Sequence, residues 1–348
     1  MGLARTLSMR ALTLVAVLVL VVFFMVIILG ATGTSDKILQ AMVNEEVMML
    51  RQSLAKTIKD PQELERVINI RKQELMEFYG LTKPWYVRLP DMAWRVLTLD
   101  LGKARTLKTF AGGNKVSDIV IERLTNTIIL VTSATIISAL IGLVLGVRIA
   151  TKVGGILDRI SSYMSAISYA IPTWWIGIIL IMVFSFLLKL FPFGGLYSAP
   201  PPSDPYLRFL DLLWHSVLPV TTLVIASVGV WIYTTRTIVL NTAQEDFVNA
   251  ARARGLPEEL VRRRYIMRVA APPILTNVIL GLATSISGAI LTETVFNWPG
   301  LGRLFYDAVL VMDEVVVIAL TYIFTLVYVV ARFLLEVLYV TLDPRVRY

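Results

Sequence analysis

The sequence has no cysteine among its 348 residues, and it has a single histidine, His215. The absence of cysteine excludes disulfide bonds, thiolate metal sites and a cysteine nucleophile. One histidine without Cys or Glu at ligand spacing is more typical of a packed or interfacial side chain than of a metal ligand. We therefore expect no metal site in this chain.

A phosphate-binding loop of the form G-x-x-x-x-G-K-[ST] is also missing, so the chain does not itself hold ATP in that manner. Charged residues are scarce at 17%, whereas 56% of the residues are hydrophobic. This composition predicts a multi-span membrane protein. The net charge of +8 lies largely in short loops beside apolar runs. The positive-inside rule explains such a distribution, so nucleic acid is not an expected partner.

Six apolar segments are long enough to cross a bilayer. They cover residues 11–30, 123–147, 160–190, 214–240, 273–293 and 315–341. The first exceeds the roughly 7–15-residue core of a signal peptide, which favours an uncleaved span. Pro172 predicts an interfacial helix leading into a kinked third span. Arginines in the short loops, and Arg345 and Arg347 in the tail, predict that both termini are cytoplasmic and that the Pro- and Gly-rich loop at 191–213 is external.

These segments predict three regions. Residues 1–35 form the N-terminal tail and the first span, residues 36–117 an external and mainly helical insertion, and residues 118–348 a five-helix core. Within the insertion, helical periodicity from Lys37 to Tyr79 breaks only at Asp60 and Pro61, which predicts a helical hairpin.

A polar stretch of thirty-two residues, TAQEDFVNAARARGLPEELVRRRYIMRVAAPP at 242–273, separates two apolar runs. Its alanine-rich first half predicts a helix that stops at Gly255. Pro257 predicts the start of a second short helix, with acidic residues in its first turn and arginines toward its end. Two short helices with no core of their own would suit a groove on another protein, and the alternative is a solvated loop.

This stretch resembles the EAA loop of ABC importer permeases, with Ala250 and Ala251 at the two alanine positions, Gly255 at the glycine and Pro273 at the later proline. Asn249 replaces the glutamate, as is ordinary in the peptide-permease branch. The resemblance implies a cytoplasmic coupling helix that sits in a cleft of a separate ATPase. The coupling residues it implies are Asn249, Ala250, Ala251, Arg252, Arg254, Gly255, Leu256, Pro257, Glu258, Glu259 and Arg262.

A second motif, ETVFNWPGLGRL at 293–304, follows the fifth span. We expect Phe296 and Trp298 to lie at a membrane interface, and Pro299, Gly300 and Gly302 to break the helix. A plain connecting turn is the alternative. Together with Asp100-Leu101-Gly102 and the ending LDPRVRY at 342–348, the motif is similar to the signature of the dipeptide, oligopeptide and nickel permease branch.

The resemblance implies an all-α permease of the type I ABC importer architecture in the cell membrane. It would move di- or oligopeptides, or short oligosaccharides, by alternating access and would have no enzymatic activity of its own. The implied partners are a homologous second permease, two ATP-binding subunits that hold ATP and Mg²⁺, an external substrate-binding protein and membrane lipid. No cofactor is expected in this chain. The insertion would either contact the binding protein or serve as a stabilising cap.

Two intramembrane or near-interface carboxylates, Glu293 and Glu336, could signal a functional site. Arg332 lies one helical turn before Glu336, which favours a structural ion pair, so neither carboxylate is assigned to a substrate site. Two other classes of function remain open. A membrane-embedded enzyme would need facing acids, histidines or a Ser-Lys pair, and an ion-coupled secondary carrier would show inverted repeats and broken midplane helices.

Overall fold

The computed structural model describes residues 3–31, 33–84, 86–87, 94, 98, 100–150 and 154–342. Within these ranges the regular structure is helical, apart from an isolated antiparallel bridge between Lys103 and Lys115. Among the described residues, five helices are long and apolar enough to cross a membrane, and a bent helix pair makes six if it counts as one span. The predicted all-α membrane fold is confirmed. Lys152 and the tail at 343–348 lie outside the described residues.

The first helices are α1 (Leu3–Ala31), α2 (Thr34–Leu54), α3 (Pro61–Phe78) and α4 (Val116–Ala150). They are followed by α5 (Ile156–Ala170), α6 (Thr173–Leu180, extended by a π-helical turn at Ile181–Leu187) and α7 (Pro205–Ala243). The remainder comprises α8 (Asp246–Ala253), α9 (Glu258–Ser285), α10 (Ile290–Val295), α11 (Leu301–Leu310) and α12 (Glu314–Leu342).

The chain divides into two compact units. One comprises Val15–Ile119 with Ala308–Thr325, and the other comprises Met1–Leu14, Val120–Asp307 and Leu326–Tyr348. The first unit contains the predicted helical hairpin, which is confirmed as α2 and α3. Asp60 caps α3 by accepting the backbone N–H of Gln62 at 2.9 Å, and Val43, Leu75 and Tyr79 form the hydrophobic core of the hairpin.

Two buried acidic residues, Asp313 and Glu314 at the start of α12, bind the segment before α4 within the first unit. The Asp313 carboxylate accepts the backbone N–H groups of Arg105 and Thr106, each at 2.8 Å. The Arg105 side chain forms an ion pair with Glu314. Asp313 is fully buried, and these bonds satisfy its Oδ2 atom, which lowers the cost of removing the carboxylate from water.

The predicted break at Pro172 is confirmed, because α5 and α6 meet there at an angle of 98°. Two other boundaries differ from the prediction. α7 begins at Pro205, within the predicted loop, because Asp204 caps the helix by accepting the N–H of Leu207 at 2.9 Å and proline suits the first helical position. The second short helix predicted after Gly255 does not end near Arg264, because it continues as α9 through a π-helical turn at Val261–Ile266.

The fifth predicted span therefore starts earlier than residue 273. Pro272 and Pro273 lie inside α9 rather than at its beginning. Proline is tolerated in membrane helices because neighbouring groups can satisfy the carbonyls that lose their backbone donor. The polar stretch thus supplies one short helix and the first turns of a long one.

Candidate functional site

The predicted coupling residues lie at a corner where α8 meets α9. α8 begins at Asp246 and ends at Ala253, and Gly255, the residue predicted to stop the helix, lies two residues later with φ of +75°. Glycine adopts this left-handed backbone without steric cost, so it allows the sharp change of direction. Pro257 precedes the first residue of α9, and both Gly255 and Pro257 are exposed.

The inner face of α8 packs on the chain itself, which corrects one expectation from the sequence. Ala251 is 2% exposed and Val248 is fully buried, in a hydrophobic cluster with Val239 of α7 and Val261 of α9. The corner therefore has a small core of its own. Ala251 is small because it faces this core, and it does not lie on the outer surface of the helix.

The outer face of α8 carries Phe247, Asn249, Ala250 and Ala253, all of which are exposed. Phe247 is a large apolar side chain with 39% of its surface exposed. Small side chains beside it leave the helix backbone open to close approach. This face has the shape and chemistry of a surface that enters a groove on another protein.

Arg252 of α8 contacts both the start of α9 and the end of α7. Its guanidinium lies 2.8 Å from the Glu258 carboxylate at the start of α9, and Nη1 donates to the Ala243 carbonyl at the end of α7 at 3.3 Å. The hydrogen bond with Glu258 raises the pKa of Arg252. Glu259 forms an ion pair with Arg262, Arg254 is exposed and Leu256 is half-buried. Such exposed ion pairs contribute little stability individually, about 0–1 kcal/mol.

The second motif is organised around the Glu293 carboxylate, which is fully buried. It accepts the Thr127 hydroxyl at 3.1 Å, the Ala289 N–H at 3.3 Å and the Arg303 N–H at 2.8 Å. Burial raises the pKa of Glu293, and these hydrogen bonds, together with one from the Gly302 backbone, oppose the increase. Since the surrounding groups are donors, the carboxylate form satisfies all of them.

Two expectations for this motif are wrong. Phe296 and Trp298 do not face lipid or water as interface anchors would, because they are packed inside the chain and are 1% and 0% exposed. Gly302 does not break a helix, because it lies inside α11. The glycines permit close approach instead: a Cβ on Gly300 would lie 2.5 Å from the Glu293 carboxyl carbon, and one on Gly302 would lie 2.8 Å from the Ile290 nitrogen.

Two residues of α4, Asn126 and Thr127, complete the motif, and the sequence did not identify them as part of it. The Asn126 side chain donates to the Pro299 carbonyl at 2.8 Å, and the Trp298 indole donates to the Asn126 carbonyl at 2.9 Å. Thr127 accepts the Leu301 N–H at 2.7 Å. The only signal in the sequence is a polar pair within an apolar run. The turn is therefore hydrogen-bonded to α4 and does not merely connect α10 to α11.

The remaining candidate residues are paired within the chain. His215 contacts the carbonyl oxygens of Gly194 and Gly195 at 3.2 Å and lies 3.6 Å from the Asp211 carboxylate, so it is a packed side chain. Glu336 forms ion pairs with Arg10 and with Arg332, the latter at 3.9 Å. Among the described residues, no group of His, Asp and Glu side chains could hold a metal ion.

Glu293→Gln is expected to destabilise the protein by about 1–3 kcal/mol, the cost of leaving buried donors unsatisfied. The amide nitrogen would replace one carboxylate oxygen and would face a backbone N–H group that now donates to it, that of Ala289 at Oε1 or that of Arg303 at Oε2. Thermal unfolding of the purified protein in detergent measures the loss. Thr127→Val, which keeps the side-chain shape but removes one hydroxyl, is expected to lower the melting temperature by less than Glu293→Gln. An unchanged melting temperature in both variants would show that the motif does not stabilise the turn.

The part of the sequence that contains the α8 corner and the motif at 293–304 matches a known protein family. Residues 142–348 match the family described as binding-protein-dependent transport system inner membrane component. The oligopeptide transport system permease protein AppB of Bacillus subtilis is 30% identical over 322 residues, which cover 92% of this chain and 96% of that protein.

Two further relatives have similar coverage. The di/tripeptide transport system permease protein DppB of Pseudomonas aeruginosa is 32% identical over 290 residues, covering 79% of this chain and 84% of the relative. The dipeptide transport system permease protein DppB of Escherichia coli is 30% identical over 295 residues, covering 80% and 86%. Both the corner at α8 and the motif at 293–304 lie within the family match.

Proposed function

The chain belongs to the family of inner membrane components of binding-protein-dependent transport systems, which makes it a multi-pass permease of an ABC importer, and we propose that it carries di- or oligopeptides. The peptide cargo is supported by the names of the relatives, which are oligopeptide, di/tripeptide and dipeptide permeases. Binding of labelled di-, tri- and oligopeptides to the partner binding protein tests this cargo. Tight binding of short oligosaccharides, with no binding of peptides, would contradict it.

The observation that carries the mechanism is the division of α8 into two faces. Its buried face joins α8 to α7 and α9, and its exposed face, which includes Phe247 and Ala250, has no partner within the described part of the chain. In the proposed complex, this exposed face sits in a groove of an ATP-binding subunit on the cytoplasmic side. A movement of that groove then moves α7 and α9 together with α8.

Coupling requires that the ATPase contact differ between the open and closed states, because a contact of equal free energy in both states transmits nothing. We propose that closure of two ATP-bound subunits pulls the α8 helices of this permease and of a homologous second permease. The spans then open toward the opposite side of the membrane. ATP and Mg²⁺ belong to the partner subunits, and an external binding protein delivers the peptide.

The proposed orientation places both termini and the α8 corner in the cytoplasm and α2 outside. Because the chain has no cysteine, a single introduced cysteine reports on one position. A cysteine at Gln52, which is exposed on α2, is expected to react with a membrane-impermeant thiol reagent in intact cells, and one at Glu258 is expected to react only after permeabilisation. The reverse pattern would contradict the orientation.

The α2–α3 hairpin is proposed to contact the external binding protein. Deletion of residues 37–78 is expected to leave assembly with the ATP-binding subunits intact, because the hairpin has its own small core. The same deletion is expected to weaken the stimulation of ATP hydrolysis by the binding protein. If stimulation is unchanged, the hairpin is a stabilising cap.

A further inference from the structure

α5 has an unusual distribution of side chains. Its buried positions are polar, with Asp158, Ser161 and Ser165 between 4% and 7% exposed. Most of its large exposed side chains are apolar, and Ile156 and Leu157 are 78% and 67% exposed. In a membrane protein the apolar face requires no special partner. The buried polar face, however, needs a reason to be packed inside the chain.

The polar face of α5 lies along α7 in antiparallel order. Near the end of α5, the Ser168 hydroxyl donates to the Ile225 carbonyl at 3.3 Å. One turn earlier, the Met164 carbonyl approaches so closely that a Cβ on Gly229 would lie 2.6 Å from it. The contacts thus run backward along α5 as they run forward along α7, and the third of them is an ion pair.

That ion pair joins Asp158, in the first turn of α5, to Arg236 of α7. The Arg236 Nη2 donates to Asp158 Oδ2 at 3.0 Å, and Nε lies 2.5 Å from Oδ1. The Gly154 N–H also donates to Oδ2, at 2.8 Å. The Arg236 side chain is only 15% exposed and the Asp158 side chain only 9%. Removing one partner would leave the other charge buried and uncompensated, so the pair fixes the spacing of the two helices.

We propose that Asp158 and Arg236 form a positioning pair that makes α5 move with α7 when the coupling corner is pulled. The inference rests on the proposed function of α8. From Arg236, α7 continues without a break to Ala243, and α8 begins at Asp246. The seven steps from Arg236 to Ala243 correspond to about 10 Å of helix. The ion pair is therefore the contact between α5 and α7 that lies nearest to the corner among the three described above.

The variant Asp158→Asn tests the pair, with Arg159→Gln as the matched control. Arg159 is the adjacent residue, it is exposed, and its substitution also changes the charge by one. The measured quantity is the ratio of binding-protein-stimulated to unstimulated ATP hydrolysis per assembled complex, together with peptide uptake. We expect Asp158→Asn to lower the ratio roughly tenfold, within the range of typical coupling free energies, and Arg159→Gln to leave it unchanged.

A merely structural role would give a different result. It would lower the yield and the melting temperature of the complex but leave the stimulation ratio of the surviving complexes unchanged, and this result would overturn the proposal. Asp158→Glu, which keeps the charge, is expected to recover part of the ratio. If the wild-type complex shows no stimulation at all, the proposed function of the chain fails, whereas a stimulated Asp158→Asn complex refutes the positioning pair alone.

A cross-link gives a second test that does not depend on a buried charge. Cysteines in place of Ser168 and Ile225, joined by a short bifunctional thiol reagent in this cysteine-free chain, fix α5 to α7. If the two helices move together, the cross-linked complex keeps its uptake. Loss of uptake on cross-linking, with full uptake before the reagent is added, would show that α5 and α7 separate during transport and would overturn the proposal.

Discussion

Gly255→Val is expected to reduce peptide uptake to the background level while the spans stay folded. A Cβ at this position would meet nothing within 4 Å, so the variant causes no collision. The effect comes from the backbone, because φ of +75° is strained for a β-branched residue by about 1–2 kcal/mol or more. Relief of this strain would change the angle between α8 and α9 and withdraw the outer face of α8 from the ATPase groove.

A matched variant separates backbone strain from the loss of glycine itself. Gly255→Asn is expected to retain most of the uptake, since asparagine tolerates a left-handed backbone better than other residues. The measurements are co-purification of the ATP-binding subunits, substrate-stimulated hydrolysis and uptake in vesicles. Normal values for all three in Gly255→Val would show that the corner is a simple connecting loop.

Ala250→Glu and Ala251→Glu are expected to fail in different ways although they are adjacent. Ala250 is on the exposed face of α8, so Ala250→Glu leaves the isolated permease stable but prevents the ATP-binding subunits from co-purifying with it. Ala251 is 2% exposed in the cluster with Val239 and Val261. A carboxylate there costs several kcal/mol, so Ala251→Glu lowers the melting temperature of the permease itself.

This contrast can be measured without any transport assay. Thermal unfolding of the two purified permeases and recovery of ATP-binding subunits on immobilised permease are sufficient. If Ala250→Glu binds the ATP-binding subunits normally, the outer face of α8 is not the docking surface. If Ala251→Glu melts like the unmodified protein, the assignment of its side chain to the core of the corner is wrong.

Much of the fold follows from local rules that the sequence displays. Apolar runs of bilayer length predict the spans, and the break at Pro172 follows from the geometry of proline. The α2–α3 hairpin follows from helical periodicity and from the capping residue Asp60. Each of these depends on neighbours along the chain, which is why composition and spacing were sufficient.

The errors concern which side of an element faces the rest of the molecule. Ala251 reads as a docking residue by its position in the motif, but only the packing of α8 on Val239 and Val261 shows that it faces inward. The continuation of the second predicted helix into α9 depends on a π-helical turn, which has no clear sequence pattern.

The motif at 293–304 shows the same limit. A carboxylate between two apolar runs indicates a group that is costly to bury, but it does not identify the partners of that group. The donors of Glu293 include the Thr127 hydroxyl, which is 166 residues away in the chain, so the site exists only once the helices have packed. The glycines of the motif likewise match a contact with Glu293 that periodicity does not reveal.

The most direct test of the central claim is peptide uptake by proteoliposomes that contain this permease, its homologous partner and the ATP-binding subunits. ATP is supplied on the side of the Glu258 corner and the binding protein on the side of α2, and proton and sodium gradients are absent. We predict accumulation of labelled peptide only when ATP and the binding protein are both present on these sides. Accumulation that needs an ion gradient and proceeds without ATP would contradict the account and identify the chain as a secondary carrier.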